Sequence, residues 1–171
     1  MRKNLNNSRI IGNRLQVLIG LSCLIFGMLV YLFYRPPEQT YFIYISGLNI
    51  NLYNTLPNIF GVIGNTLPSF VHVFAFTLIT AGMIACRKRG YLIICLSWLT
   101  LDVTFEFGQK FNAFFSSLVP AWFNRFPFLE NTTNYFSRGT FDQADIASAM
   151  IGSALAYWVL IATMDERKLP L

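Results

Sequence analysis

Four long apolar stretches constrain the fold of this chain more than any other feature of its sequence. A helix that crosses a lipid bilayer needs about 20 mostly apolar residues, and four stretches approach or reach that length: 15–34, 69–86, 91–109 and 143–164. A helix satisfies its own backbone hydrogen bonds where lipid offers no partner. The sequence therefore predicts an all-α fold, a single membrane domain (1–171) built as a bundle of four transmembrane helices.

Composition agrees with a membrane protein and excludes a nucleic-acid-binding one. Only 12% of the residues are charged, against about 25% in soluble domains. The net charge of +5 comes from basic residues in short segments beside the apolar stretches, not from a basic stripe among stacking aromatics. We therefore expect membrane lipids as partners and no nucleic acid. Cys23, Cys86 and Cys95 lie in or beside apolar stretches without metal-ligand spacing, which indicates packing residues.

The basic residues also predict the orientation of the bundle. Cytoplasmic loops of membrane proteins carry an excess of Lys and Arg, and here nine basic residues lie on one side of the predicted membrane and four on the other. The sequence thus predicts a multi-pass protein of the inner (plasma) membrane with both termini in the cytoplasm. The nine are Arg2, Lys3, Arg9, Arg14, Arg87, Lys88, Arg89, Arg167 and Lys168, and the four are Arg35, Lys110, Arg125 and Arg138.

Two segments, 35–68 and 110–142, lie outside the cell on this topology. The first contains YFIYISGLNINLYN, a stretch whose pattern fits either short strands or a dip into the membrane interface. The second contains FNAFFSSLVPAWFNRFPF, which Pro120 and Pro127 interrupt too often for a span. Its aromatic residues and Arg125 are typical of a segment that lies along the membrane surface.

Polar residues inside the apolar stretches are the candidate functional residues, because an ionisable group near mid-membrane costs about 2.5–3.5 kcal/mol. Asp102, Glu106 and Gln109 are spaced i, i+4 and i+7, which places them on one helix face. The predicted topology brings every such group to the outer end of the bundle, with His72 only four residues into its span. The sequence therefore predicts one ligand-binding polar cluster: His72, Asp102, Glu106, Gln109, Arg138, Asp142 and Asp145.

Each of these residues also has a structural interpretation. Asp142 and Asp145 stand at a helix N-terminus, where acids cap free N–H groups, and His72 fits an interhelical hydrogen bond. Glu106 needs a partner, and we expect that partner to be Arg138. The alternative to a binding pocket is that these groups only tie three helices together.

Small residues predict where the helices approach each other closely. Short side chains at four-residue spacing allow two helix backbones to come together in lipid. The last span carries such a set, and we expect Gly20 and Gly27, seven residues apart in the first span, to allow a similar close approach. The set in the last span consists of Ala149, Gly152, Ser153 and Ala156.

Three sequence elements, SFVHVFAFTLIT, FEFGQKF and RGTFDQADIASAMIGSALAY, resemble the VanZ-like membrane proteins, a family named for an accessory protein of glycopeptide-antibiotic resistance. That family shows a His in an apolar helix, an E-x-x-Q pair, and then R-x-x-D-x-x-D-x-x-x-N-x-x-G. The gap from Arg138 to Asp142 is four residues instead of three, and Ala149 replaces the Asn. The resemblance covers residues 68–157, and its matching positions are His72, Glu106, Gln109, Arg138, Asp142, Asp145 and Gly152.

Three functions are compatible with these residues. The first is a non-enzymatic binding or accessory protein of the cell envelope, which recognises a lipid, a lipid-linked precursor or a lipidated antibiotic through Arg138 and an anionic group. The second is a small hydrolase or transferase in which His72 and the acids bind a divalent metal. The third is a transporter. We rank it last because four spans are few and no polar residue is expected on the cytoplasmic half. The first function requires no cofactor.

Overall fold

The computed structural model describes residues 12–34, 52–53, 55, 60–61, 63–84, 86–127 and 129–164, apart from the side chain of Arg138. Within these residues the chain is helical and contains no strand. Four long helices alternate in direction, with two short helices and two 3₁₀ turns between the third and the last. The elements are α1 (Arg14–Tyr34), α2 (Ile63–Ile84), α3 (Lys88–Lys110), α4 (Asn112–Leu118), the 3₁₀ turns Ala121–Arg125 and Leu129–Asn131, α5 (Thr132–Arg138) and α6 (Gln143–Ala162).

The prediction of a four-helix membrane bundle is confirmed. The helices α1, α2, α3 and α6 are each long and apolar enough to cross a membrane. Their outward faces carry large exposed apolar side chains such as Leu18, Ile93 and Trp158, the last 67% exposed. Such a surface is unfavourable in water and suits lipid. The predicted strands or interfacial dip of 35–68 lie largely outside the described residues.

The start of α2 differs from the sequence prediction. The second span was expected to begin at Ser69, directly after Pro68, and proline lacks an N–H and disfavours a helix interior. Instead α2 begins at Ile63 and contains Pro68 as its sixth residue. The N–H of Gly64 donates to the carbonyl of Phe60 at 3.3 Å, so helical hydrogen bonding begins before the proline. Proline at this depth is tolerated in membrane helices, where other groups satisfy the freed carbonyl.

Glycines set the distance between α1 and α2. A Cβ added at Gly20 would lie 2.8 Å from the carbonyl oxygen of Ala75, and one at Gly27 would lie 2.7 Å from the Val71 side chain. One added at Gly82 would lie 2.9 Å from the carbonyl oxygen of Asn13. These pairs run in opposite order along the two helices, so α1 and α2 are antiparallel. The predicted close approach at Gly20 and Gly27 is confirmed.

Helix α6 packs against α2 and α3 through its stripe of small residues. The predicted set of Ala149, Gly152, Ser153 and Ala156 is buried. A Cβ at Gly152 would lie 2.7 Å from the carbonyl oxygen of Phe70 on α2. On the other side, the Ser153 hydroxyl donates to the carbonyl oxygen of Cys95 on α3 at 3.4 Å. These two contacts fix the register of α6 against both neighbours.

The bundle therefore has two distinct ends. We call the end that holds the starts of α2 and α6 and the last turns of α1 and α3 the carboxylate end. The opposite end, with Arg14, Arg87, Lys88 and Arg89, is the basic end. At the basic end, Cys86 lies between α2 and α3, and burial raises the pKa of its thiol. Cys86 and Cys23 are half-buried, Cys95 is buried, and all three are free, as expected for packing residues.

The expectation of no polar residue in the half of the bundle at the basic end was wrong. Gln16 on α1 is 0% exposed. Its Nε2 donates to the Thr163 hydroxyl at 3.0 Å and to the Tyr91 hydroxyl at 3.3 Å, which joins α1 to α3 and α6. In the sequence, a single glutamine near the start of a helix resembles an amide at the membrane interface. Gln16 is buried because helices α1, α3 and α6 pack together around it.

Candidate functional site

Helix α3 carries three of the predicted polar residues toward the carboxylate end. Glu106 lies four residues before the helix end at Lys110, and Asp102 lies eight residues before it. At 1.5 Å per residue these positions are about 6 Å and about 12 Å below that end. Glu106 is 5% exposed, whereas Asp102 and Gln109 are half-buried. The i, i+4 and i+7 spacing puts all three on one face of α3, and Trp98 lies on the same face one turn farther from the helix end.

Asp142 caps the first turn of α6. Its Oδ1 accepts a hydrogen bond from the N–H of Ala144 at 2.9 Å, which satisfies one of the free donors at the helix start. The capping interpretation of Asp142 is thus confirmed, and its side chain is exposed. Asp142 also contributes its main chain to the site, because its backbone N–H donates to the Glu106 carboxylate.

Register across the α3–α6 contact brings a further acid to the same level. Asp102 lies seven residues beyond Cys95 on α3, and Asp145 lies eight residues before Ser153 on α6, while Cys95 and Ser153 are in contact. Because the helices are antiparallel, Asp102 and Asp145 come to similar depth. The Asp145 carboxylate acts electrostatically on both Asp102 and Glu106. We call these groups, Asp102, Glu106, Asp142 and Asp145, the carboxylate cluster.

Glu106 and Asp102 in the carboxylate cluster each have a buried oxygen without a hydrogen bond among the described residues. Neither Oε2 of Glu106 nor Oδ2 of Asp102 has a hydrogen-bond partner among the described residues. A buried acceptor that is left unsatisfied costs about 1–3 kcal/mol, and more when it is charged. The predicted partner Arg138 is the last residue of α5. Its side chain lies outside the described part, so the Glu106–Arg138 pair stays a prediction.

Lys110, another basic residue of this end, lies against aromatic rings and not against the acids. Lys110 is the last residue of α3, and its ammonium nitrogen lies 4.9 Å from the centre of the Phe141 ring. The distance to the Phe111 ring centre is 5.9 Å. Both distances are those of cation–π contacts. Lys110 therefore contacts two aromatic rings at the carboxylate end of the bundle.

Helix α5 covers the end of α3 and adds a residue that the sequence did not indicate. Phe136 is 6% exposed and lies directly on Gly108, where even a Cβ would clash with its ring. The Gln109 amide donates to the phenolic oxygen of Tyr135. Burial, and to a smaller extent the nearby Glu106 carboxylate, raises the pKa of Tyr135 to about 12. At neutral pH the phenol keeps its proton and is a donor beside the carboxylate cluster.

No spacing rule could have found Tyr135. It lies in a short helix within the interrupted aromatic segment, where one aromatic residue resembles another. Its neighbours Phe105 and Phe136, with ring centres 5.6 Å and 5.7 Å away, hold the ring in place. The Tyr31 hydroxyl of α1 acts on it electrostatically. Four helices thus contribute polar groups at the carboxylate end.

His72 lies deeper than the sequence predicted. It is the tenth residue of α2, about 14 Å along the helix, because α2 begins six residues earlier than expected. Its ring is exposed, and its ring centre lies 6.0 Å from that of Phe76. Phe76 stacks on Trp98 of α3, with 4.9 Å between the ring centres. His72 lies one helical turn from Phe76, and Asp102 lies one turn from Trp98, both toward the carboxylate end. Because Phe76 and Trp98 are in contact, His72 and Asp102 lie at similar depth on the neighbouring helices α2 and α3.

The carboxylate cluster is thus rich in acceptors, with donors at its rim. Within the described residues, no group of three or more His, Cys, Asp and Glu side chains is arranged to hold a metal ion. Gln109, Tyr135 and the backbone of Asp142 supply the hydrogen bonds beside the acids. Such an arrangement suits a ligand that brings its own positive charge or several donors.

Comparison with protein-family models found no match to this chain. No characterised protein and no solved structure proved significantly similar to it either.

Proposed function

We propose that this protein is a non-enzymatic binding or accessory protein of the cell envelope, which holds the head group of an amphiphile at the carboxylate end of its bundle. The observation that carries the proposal is the pair of buried acceptors, Oε2 of Glu106 and Oδ2 of Asp102, left without hydrogen bonds among the described residues. A purely structural network is expected to satisfy its own members. Acceptors left open are expected where a ligand completes the network.

The depth of the site supports an amphiphile as the ligand. Glu106 lies about 6 Å and Asp102 about 12 Å below the end of α3, within reach of the head-group region of a bilayer. The acids lie among helices whose outer faces carry exposed apolar side chains, a position that a soluble ligand would not need. An amphiphile can enter sideways and keep its tail in lipid.

The aromatic segment between α3 and α5 supports the same proposal. Pro120 and Pro127 divide it into short turns, so it does not cross the membrane. Phe114, Trp122 and Phe126 are each more than half exposed. Aromatic residues exposed beside Arg125 favour a position along the membrane surface, where this segment would cover the acyl chain of the ligand.

The distribution of basic residues supports an orientation. Nine of the 13 Lys and Arg residues lie at the basic end or in the segments that adjoin it. By the positive-inside rule that end faces the cytoplasm, and the carboxylate end faces outward. We therefore place the head-group site at the outer leaflet of the inner (plasma) membrane. The resemblance to the VanZ-like proteins, carried by Glu106, Gln109 and Asp145 among others, favours an accessory role in the envelope.

The proposal is tested by separating ligand retention from folding. The full chain is purified in mild detergent as wild type and with Arg138→Gln, His72→Gln and, as a matched control, Arg125→Gln. Native mass spectrometry identifies the retained amphiphiles, and thermal unfolding measures stability. We expect the wild type and the Arg125 variant to retain a defined amphiphile. The Arg138 and His72 variants should lose it although both still fold.

The opposite pattern distinguishes a structural network from a binding site. If the Arg138 and His72 variants unfold more easily while the retained lipids stay the same as in wild type, these residues only tie helices together. That result would refute the binding proposal.

A further inference from the structure

We propose that the carboxylate cluster recognises a primary ammonium group in the head of the bound amphiphile. This inference rests on the proposed function and names the ligand chemistry of that same site. The sequence alone suggested an anionic head paired with Arg138. The packing of α3 against α6 adds the opposite requirement, because it sets the acids of the two helices at similar depth.

The first argument is charge. Asp102 and Glu106 lie one turn apart on the same face of α3, Asp102 acts on Glu106 as a like charge, and Glu106 is 5% exposed. Like charges brought together in a poorly solvated place repel strongly. Lys110 is held over the Phe141 ring. A cation supplied by the ligand would remove this repulsion, whereas an anion alone would add to it.

The second argument is hydrogen bonding. The open groups of Glu106 and Asp102 are acceptors, so the matching ligand must donate. A primary ammonium carries three N–H donors on one compact charge, and hydrogen bonds between ions are among the strongest in proteins. A quaternary ammonium such as choline carries the charge but no N–H. It is recognised by aromatic cages instead, and it leaves both oxygens unsatisfied.

The third argument concerns the rest of the head group. Gln109 and Tyr135 lie at the rim, nearer the surface than Glu106, and the phenol of Tyr135 keeps its proton. Arg138 ends α5 directly before the segment that leads to Asp142. Donors at the rim and acceptors below them fit a zwitterionic head, with its phosphate at the rim and its ammonium in the carboxylate cluster. Phosphoethanolamine has this order of groups.

The test compares ligands that differ in one feature. Isothermal titration calorimetry measures binding of dioctanoyl-phosphatidylethanolamine, dioctanoyl-phosphatidylcholine and dioctanoyl-phosphatidylglycerol to the full chain in detergent micelles. Soluble phosphoethanolamine serves as the ligand without a tail. We expect the dissociation constant of the ethanolamine lipid to be lower than that of the choline lipid by a factor of about ten or more. The reason is that the choline lipid cannot form charge-assisted N–H hydrogen bonds. We expect soluble phosphoethanolamine to bind far more weakly than its lipid.

Variants assign the preference to the carboxylate cluster. Glu106→Gln keeps the shape of the side chain and removes its charge, and it should abolish the preference for ethanolamine over choline. Glu130→Gln makes the same change on an exposed residue of the 3₁₀ turn Leu129–Asn131 and should leave the preference intact. If Glu106→Gln does not fold, Asp102→Asn replaces it, while the comparison of lipids on the wild type needs no variant.

The outcomes separate this inference from the proposed function. Equal affinity for the ethanolamine and choline lipids, or tightest binding of phosphatidylglycerol, would overturn ammonium recognition and leave the amphiphile site standing. Soluble phosphoethanolamine bound as tightly as its lipid would support ammonium recognition and contradict an amphiphile ligand. Binding of none of the four ligands would overturn both.

Discussion

The contact at Gly152 gives a sharp prediction, because two opposing effects of one methyl group can be compared. In a helix interior, Gly→Ala gains about 1 kcal/mol of helix propensity. A Cβ at Gly152, however, would lie 2.7 Å from the carbonyl oxygen of Phe70 and 3.3 Å from its Cα, whereas ordinary contact begins at 3.4 Å. The helices α2 and α6 would have to move apart locally by the difference, 3.4 − 2.7 = 0.7 Å.

The steric effect should exceed the gain in propensity. Overpacking a tight contact costs about 1–3 kcal/mol, and a backbone carbonyl cannot rotate away as a flexible side chain can. With a clash of about 2 kcal/mol and a propensity gain of about 1 kcal/mol, Gly152→Ala should destabilise the protein by about 1 kcal/mol. Without the clash, the same change should stabilise it by about 1 kcal/mol.

The measurement is the free energy of unfolding in mixed micelles titrated with dodecyl sulfate and followed by circular dichroism. The control is Ala154→Gly, on the exposed face of the same helix, which measures the propensity difference two residues away without the contact to α2. Ala154→Gly should lower the free energy of unfolding by about 1 kcal/mol. If Gly152→Ala stabilises the protein by as much as Ala154→Gly destabilises it, α6 does not approach α2 closely at Gly152.

Further predictions concern the site and the topology. The effects of Glu106→Gln and Arg138→Gln on the free energy of unfolding should be non-additive by about 1–3 kcal/mol if the two are paired, and simple additivity would show that they are not. Asp142→Ala should cost about 1 kcal/mol through loss of the cap on α6, whereas Asp142→Asn, which can still accept the hydrogen bond, should cost much less; equal losses would contradict a capping role. In intact cells, a membrane-impermeant thiol reagent should label a cysteine placed at Thr132 and not one placed at Lys88, and the reverse would invert the proposed orientation.

Local pattern in the sequence determined the spanning helices and several of their contacts. The length of the apolar stretches was enough for α1, α2, α3 and α6, because lipid leaves an apolar segment of that length little choice but a helix. The spacing of small residues placed the tight face of α6. Asp142 was recognised as a possible cap, and Pro120 and Pro127 marked a segment that does not span. Each of these features depends on neighbours within a few residues in the chain.

Contacts between helices were decided by the tertiary structure, because they depend on register and on where each helix begins. Helical spacing placed Asp102 and Glu106 on one face and the topology placed Asp145 at the same end, but the depth of Asp145 relative to Asp102 follows from the contact of Cys95 with Ser153. The burial of Gln16 arises from three helices that close around it, and the place of Tyr135 arises from α5 folding over Gly108. Periodicity reports which residues share a face of one helix, whereas the depth and partner of each residue depend on how the helices slide and tilt against each other.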